Sequence, residues 1–226
     1  MNNPIFRIKN LDYKNGREII LKINNFEIHR GSCYLFNGEM ASGKTLLINI
    51  LNKTNKKYNG EVNYDDSNLR SISKGKYYND VSIVHQRETR PYFKTVYKYI
   101  YGFICKKNNA DKAKKYTNSV IKMMNLKNII NMTVRSLTPS QFRWVDLAAK
   151  IGSNPKVLFI DEIEQHLSKE NISILSKLLF RKCNYDGVTL ICTTQNSNMF
   201  RSLASVIITL KHGRISRLRS HTRKNN

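Results

Sequence analysis

The segment GEMASGKT, Gly38 to Thr45, limits what this chain can fold into more than any other stretch. It fits G-x-x-x-x-G-K-[ST] and lies between an apolar run, CYLFN, and LLINILN, whose spacing is helical. Glycines there let the backbone curl so that successive amides meet phosphate oxygens, and the following helix adds the partial positive charge of its N-terminus. The pattern sets Lys44 to reach the β and γ phosphates of a nucleoside triphosphate and the Thr45 hydroxyl to bind magnesium. Gly38, Glu39, Met40, Ala41, Ser42, Gly43, Lys44, Thr45 and Leu46 form the expected nucleotide cradle. No guanine-reading NKxD follows downstream, so ATP is the expected nucleotide.

A second anchor is KVLFIDE, an apolar strand ending in Asp161 and Glu162. A carboxylate at a strand end can hold magnesium and its neighbour can polarise an attacking water, so Asp161 is assigned to the metal and Glu162 to the base. Paired acids alone are common at solvated strand ends, and only the upstream loop gives these a role.

Around these anchors the chain reads as α/β. IFRI, EIILKI and FEIHR, separated by KNG and NN, suggest a small N-terminal antiparallel β region. VSIVHQ, KVLFID, VTLICTT and SVIITL are unbroken apolar runs, the mark of strands buried on both faces, with helical stretches over 110–126, 139–151 and 169–182. Such an order predicts a P-loop NTPase core with a mainly parallel sheet. Residues 87–152 lack a good strand and read as a helical subdomain insertion. The whole of 1–226 reads as one domain, with a frayed basic tail over 217–226.

No apolar run approaches the roughly 20 residues that cross a bilayer, and MNNPIFRIKN lacks the order of a secretory signal. Four scattered cysteines are expected as free thiols. The net charge of +23 points either to anionic partners, an anionic membrane surface among them, or to a Lys-, Asn- and Ile-rich bias of codon origin. Lysines are dispersed rather than striped with arginines and aromatics, which argues against nucleic acid.

The two anchors, their separation and the residues between them resemble the ABC ATPase family over nearly the whole chain, somewhat like its cell-division and lipoprotein-release branch. The resemblance implies an ATPase that pairs with a second ABC ATPase subunit, in a homo- or heterodimer, and drives integral membrane permease subunits. It also implies a peripheral place on the cytoplasmic face of a membrane, or the inner face of an organelle membrane. A non-transport ABC ATPase that regulates another machine is the alternative.

By the same resemblance Tyr13 stacks on adenine, Gln86 touches magnesium and feels the membrane partner, and KTVYKYI begins the helix that meets that partner. Leu137, Thr138, Pro139, Ser140 and Gln141 stand for the family's LSGGQ signature, which closes on the ATP of the partner subunit. Thr138 and Gln141 are spaced as a capping box with Pro139 in the first turn. Pro139 lacks an N–H, Ser140 replaces a glycine, Trp144 replaces the usual arginine beside Arg143, and Ser168 replaces an aspartate. Gln195 stands where the family has a histidine; it can donate a hydrogen bond but carries no proton or charge. ATP binding with slow turnover is the expectation. His85 and His212 have no ligand cluster around them in the sequence.

Overall fold

The computed structural model describes residues 3–86 and 89–220. Residues 87 and 88 of the expected insertion, and 221–226 of the expected tail, lie outside the described residues. A twisted sheet of six strands runs through the molecule in the order β10-β9-β3-β8-β7-β6. Here β3 is Cys33–Asn37, β6 Val81–Val84, β7 Val157–Ile160, β8 Thr189–Thr194, β9 Val206–Lys211 and β10 Arg214–Ser220. All neighbours are parallel except β9 and β10.

The alternation inside these strands explains their unbroken apolar sequences. Leu35, Leu158, Ile160 and Leu190 point into one core, while Phe36, Phe159 and Ile191 point into another on the opposite face. Each strand must therefore be apolar at every position.

The second core lies beneath a smaller antiparallel sheet, β2-β1-β4-β5, with α1 (Lys44–Leu51) contributing Leu47, Ile48, Ile50 and Leu51 to it. In this sheet β1 is Pro4–Asn15, β2 Glu18–His29, β4 Asn59–Tyr64 and β5 Ser67–Asn68. Asn24 and Asn25, expected as a break, sit inside β2: Asn25 pairs with Lys9 and the ladder continues to His29. Cross-strand hydrogen bonding to β1 overrides the turn preference of asparagine there. The real turn is at Gly16, whose φ is +61°.

The first core is closed by α3 (Val96–Ile104), α4 (Ala110–Met123), α5 (Pro139–Gly152) and α6 (Lys169–Asn184), with α2 (Lys74–Asp80) leading into β6. Trp144 is buried among them, its indole N–H donating to the Met124 carbonyl at 2.8 Å. That large apolar ring joins α5 to α4, a packing role that an arginine could not fill.

The expected fraying from residue 217 is corrected over its described part. Arg217, Leu218, Arg219 and Ser220 pair in register with Thr209, Ile208, Ile207 and Val206. Main-chain bonding to β9 holds this edge strand although its side chains are mostly exposed and polar. Among the described residues no helix is long and apolar enough to cross a membrane.

Candidate functional site

β3 ends at Asn37 and α1 begins at Lys44, so the six residues between them sit where the large sheet meets the small one. A Cβ on Gly38 would stand 2.4 Å from the Leu210 carbonyl and 2.7 Å from Ser42 Oγ, so only glycine lets the loop leave the sheet this closely. Gly43 has φ +97°, and a Cβ there would press on Leu21 at 3.3 Å. Leu21 pairs across the small sheet with Tyr13, which sets the half-buried tyrosine on the strand next to the loop. The loop is fastened from the other side by the Gly213 amide, which donates to the Ser42 carbonyl at 3.2 Å. Glu39, Met40 and Ala41 are exposed at its rim, and Leu46 is half-buried behind it.

Lys44 is 6% exposed and donates to the carbonyls of Gly38 at 2.6 Å and Glu39 at 2.7 Å and to Ser42 Oγ at 3.3 Å. Burial lowers its ammonium pKa below the usual lysine value, against the opposing pull of Glu162, Asp161 and Glu164. Thr45, the next residue, donates from Oγ1 to Asp161 Oδ1 at 3.2 Å. Asp161 and Glu162, more than a hundred positions along the chain, are thus delivered to the loop by β7.

Glu162 has φ +49°, a left-handed conformation uncommon outside glycine. Several bonds hold it there. Its amide donates to Thr193 Oγ1 at 2.7 Å, and that hydroxyl donates to Asp161 Oδ1 at 2.6 Å. Arg143, on α5 and 5% exposed, donates through Nη2 to the carbonyls of Asp161 at 2.6 Å and Glu162 at 3.0 Å, and through Nη1 to His85. A left-handed residue costs about 1–3 kcal/mol and persists only where its surroundings over-determine it, a situation concentrated at functional sites.

The Glu162 carboxylate accepts from two carboxamides. Gln86 Nε2 lies 2.9 Å from Oε2, and Gln195 Nε2 lies 3.1 Å from Oε1. Gln195 is in turn held by its own amide, which donates to Glu164 Oε1 at 2.8 Å. The structure thus brings Thr45, Gln86, Asp161, Glu162 and Gln195 into one connected network, and Lys44, the neighbour of Thr45, is bonded to its own loop and feels the charges of Asp161 and Glu162. Thr193, Glu164 and Arg143 belong to the same network, and the only local sign of Thr193 was a polar residue inside an apolar strand.

Among the described residues no side-chain bond ties the Leu137–Gln141 segment into that network. Its cap is complete: the Gln141 amide donates to Thr138 Oγ1 at 3.2 Å and the Thr138 amide to Gln141 Oε1 at 3.0 Å. Leu137 is buried, its carbonyl accepting from Arg90 at 2.6 Å, while Pro139 and Ser140 face outward. Pro139 and Gln86 do share a small concavity of about 190 Å³ with His85 and His166. A roomier concavity of about 840 Å³, between α4 and α6, lies away from all of these side chains.

A family model described as ABC transporter matches residues 21–165, more than half of the chain and inclusive of the loop, Gln86, the Leu137–Gln141 segment and both acids. The chain belongs to the ABC transporter family. An ABC transporter ATP-binding protein of Clostridium tetani is 26% identical over 91% of this chain. The spermidine/putrescine import ATP-binding protein PotA of Mycoplasma capricolum is 23% identical over 96% of it. The chain spans 46% of the first protein's length and 62% of the second's. A solved dimeric ATP-binding cassette, bound to ADP and Pi after hydrolysis, superposes with a TM-score of 0.83 at 24% identity, covering 95% of this chain and 98% of that one.

Membership of the ABC family puts one departure in a new light. Trp144 takes the expected arginine's place and fills the α4–α5 packing, and Arg143, one position earlier, turns inward to the ends of β6 and β7.

Proposed function

We propose that the chain is an ATP-binding and ATP-hydrolysing subunit of an ABC transporter complex, slow in turnover, that dimerises on ATP and drives separate membrane subunits. The observation that carries this reading is the network from Thr45 through Asp161 and Thr193 to Glu162, beside the buried Lys44 of the loop, with Gln86 and Gln195 on the same carboxylate. A triphosphate entering the loop replaces the neutral carbonyl partners of Lys44 with anionic oxygens, and charge-assisted bonds are about twice as strong. The pairing of Tyr13 with Leu21, the side chain that borders Gly43, supports its reading as an adenine platform.

Thr45 Oγ1 and Asp161 Oδ1, 3.2 Å apart, form an oxygen pair suited to magnesium, with Gln86 bonded to the carboxylate of the next residue, Glu162. Among the described residues no three His, Cys, Asp or Glu side chains converge on a metal position. That suits an ion that takes one or two protein oxygens and completes its shell with phosphate and water. Magnesium neutralises charge on the phosphates when bound. Glu162 is the group that orients and deprotonates the attacking water, and its two carboxamide partners fix where its oxygens point. Gln195 can position that carboxylate but cannot supply the charge of a histidine, which supports slow turnover.

Leu137–Gln141 offers a capped helix start to the nucleotide of a second subunit. A membrane partner is supported by Tyr92 and Phe93, which stand 60% and 95% exposed on the arm after Gln86, with the Arg135 guanidinium 4.4 Å from the Tyr92 ring centroid. Exposed paired aromatics beside arginine are the composition of an interface centre. The chain accordingly lies at a membrane face through its partner.

Retention of magnesium ATP by the purified chain tests the reading. Lys44→Ala is expected to weaken retention about 100-fold, the loss of one or two charge-assisted bonds. Unchanged retention in that variant would overturn the assignment.

A further inference from the structure

A cluster of lysines beside the edge strand β6 is unused by any of this. Lys106 and Lys107, in the turn after α3, and Lys150, near the end of α5, line a cavity of about 220 Å³ whose walls include Ser82, Ser153 and the Phe103 ring. The ammonium groups of Lys150 and Lys106 lie 4.4 and 5.4 Å from the same Phe103 centroid, so two cations share one ring. Lys156 adds a fourth positive charge, close enough to disfavour the charged form of Lys107.

The acids nearby are already engaged. Asp80 accepts from Lys156 at 2.9 Å and from the Tyr64 hydroxyl at 3.4 Å. Asp146 accepts from the Tyr99 hydroxyl at 2.7 Å and lies 3.8 Å from Lys150. Lys106 and Lys107 make no ion pair among the described residues. Desolvation is the main cause that lowers the Lys107 ammonium pKa, only partly offset by Asp80. Among the described residues, four lysines stand beside two carboxylates that are already bonded, a local excess of two positive charges.

We propose that this cavity is a binding site for a phosphomonoester, a group of nearly two negative charges at neutral pH with three strong acceptor oxygens. The charge balances the excess, and an open cavity of about 220 Å³ fits a phosphate on a small body rather than an extended polyanion. The occupant would link the turn after α3, the start of β6 and the end of α5, elements that lead respectively to the exposed aromatic arm, Gln86 and the Leu137–Gln141 cap. Two sources offer this chemistry: a free phosphorylated metabolite and the headgroup of a lipid such as phosphatidic acid.

The test uses the full chain carrying Lys44→Ala, which removes the nucleotide loop as a competing phosphate site. Glycerol 3-phosphate is titrated calorimetrically, and a rise in melting temperature is followed in parallel. Binding is expected to persist in Lys44→Ala and to weaken at least ~10-fold in Lys106→Gln/Lys107→Gln, the worth of one charge-assisted bond. It is expected to be little changed in Lys112→Gln/Lys115→Gln, which removes equal charge from the exposed face of α4. Co-sedimentation with phosphatidylcholine vesicles, with and without phosphatidic acid, distinguishes the sources: selective capture assigns the lipid headgroup, and binding of the free ester alone assigns a metabolite. Equal losses in the two double variants, unaltered affinity in the first, or no binding of either probe would overturn the site. None of these outcomes depends on whether the chain hydrolyses ATP.

Discussion

The loop before α1 and the cap before α5 are both helix starts, yet they hold their shape by different means. At the loop, backbone crowding decides: a side chain on Gly38 would collide with the Leu210 carbonyl, and Gly43 sits left-handed against Leu21. At the cap, side chains decide, through the reciprocal Thr138 and Gln141 bonds with Pro139 in the first turn. A contact made by backbone tolerates almost no substitution, whereas one made by exchangeable side chains can drift. The loop carries the whole G-x-x-x-x-G-K-[ST] pattern, and the cap carries Pro139 and Ser140 where the resemblance to an LSGGQ signature implies less encumbered residues. In this chain the backbone-held loop matches its pattern throughout, and the departures fall where side chains hold the shape.

The residue that joins the two regions is Arg143. It starts from the cap's own helix and ends on the carbonyls of His85, Asp161 and Glu162. Arg143→Ala should therefore disturb the pairing of loop and cap more than a change confined to either one. Buried carbonyls left unpartnered cost about 1–3 kcal/mol each before relaxation, so a net loss of about 3 kcal/mol is expected. In a chain of this size that corresponds to a melting temperature lower by roughly 10 °C. Arg143→Lys should recover only part, because a point charge cannot fork between carbonyls. If thermal melting of Arg143→Ala matched the parent, the two regions would be mechanically independent.

Next in size is Gln195→His. It returns a titratable donor to the position beside Glu162 and should raise steady-state ATP turnover about 10-fold, equivalent to about 1.4 kcal/mol of barrier, with little change in ATP retention. Equal turnover in the two forms would mean that the carboxamide already does all that a histidine could do there. A gain in retention without a gain in turnover would instead place the relaxed function in binding.

How much of this was legible in the sequence followed from how local each determinant is. The loop and the strands β3, β7 and β8 were legible because eight contiguous residues and short two-sided apolar runs carry them. The antiparallel region was legible as a class but not in its extent, since Asn24 and Asn25 look like a turn until the ladder to Lys9 and its neighbours is known. The elements β4, β5 and α2 went unread because few apolar residues mark them, and the described end of β10 was hidden because an edge strand is held by its backbone. Within the candidate site, Glu162 was legible as a carboxylate, but not its left-handed backbone or the Thr193 bridge that fixes it. Those depend on partners 18 to 32 positions distant, for which no spacing rule exists.

The smallest expected effect tests the cap alone. Thr138→Ala removes the acceptor for the Gln141 amide and half of the reciprocal pair, which should cost about 1 kcal/mol and lower the melting temperature by roughly 2–4 °C. Because Thr138 is exposed and, among the described residues, bonded by its side chain to Gln141 of α5, nucleotide retention by a single subunit should be unaffected. ATP-dependent dimerisation should weaken, since the amides at the helix start lose their fixed direction. Measuring both separates the two roles that a capped helix start can have. A stability loss with unchanged dimerisation would make this a structural cap and nothing more. A dimerisation loss larger than the stability loss would mean that Pro139 and Ser140 have narrowed the contact with the second subunit's nucleotide without abolishing it.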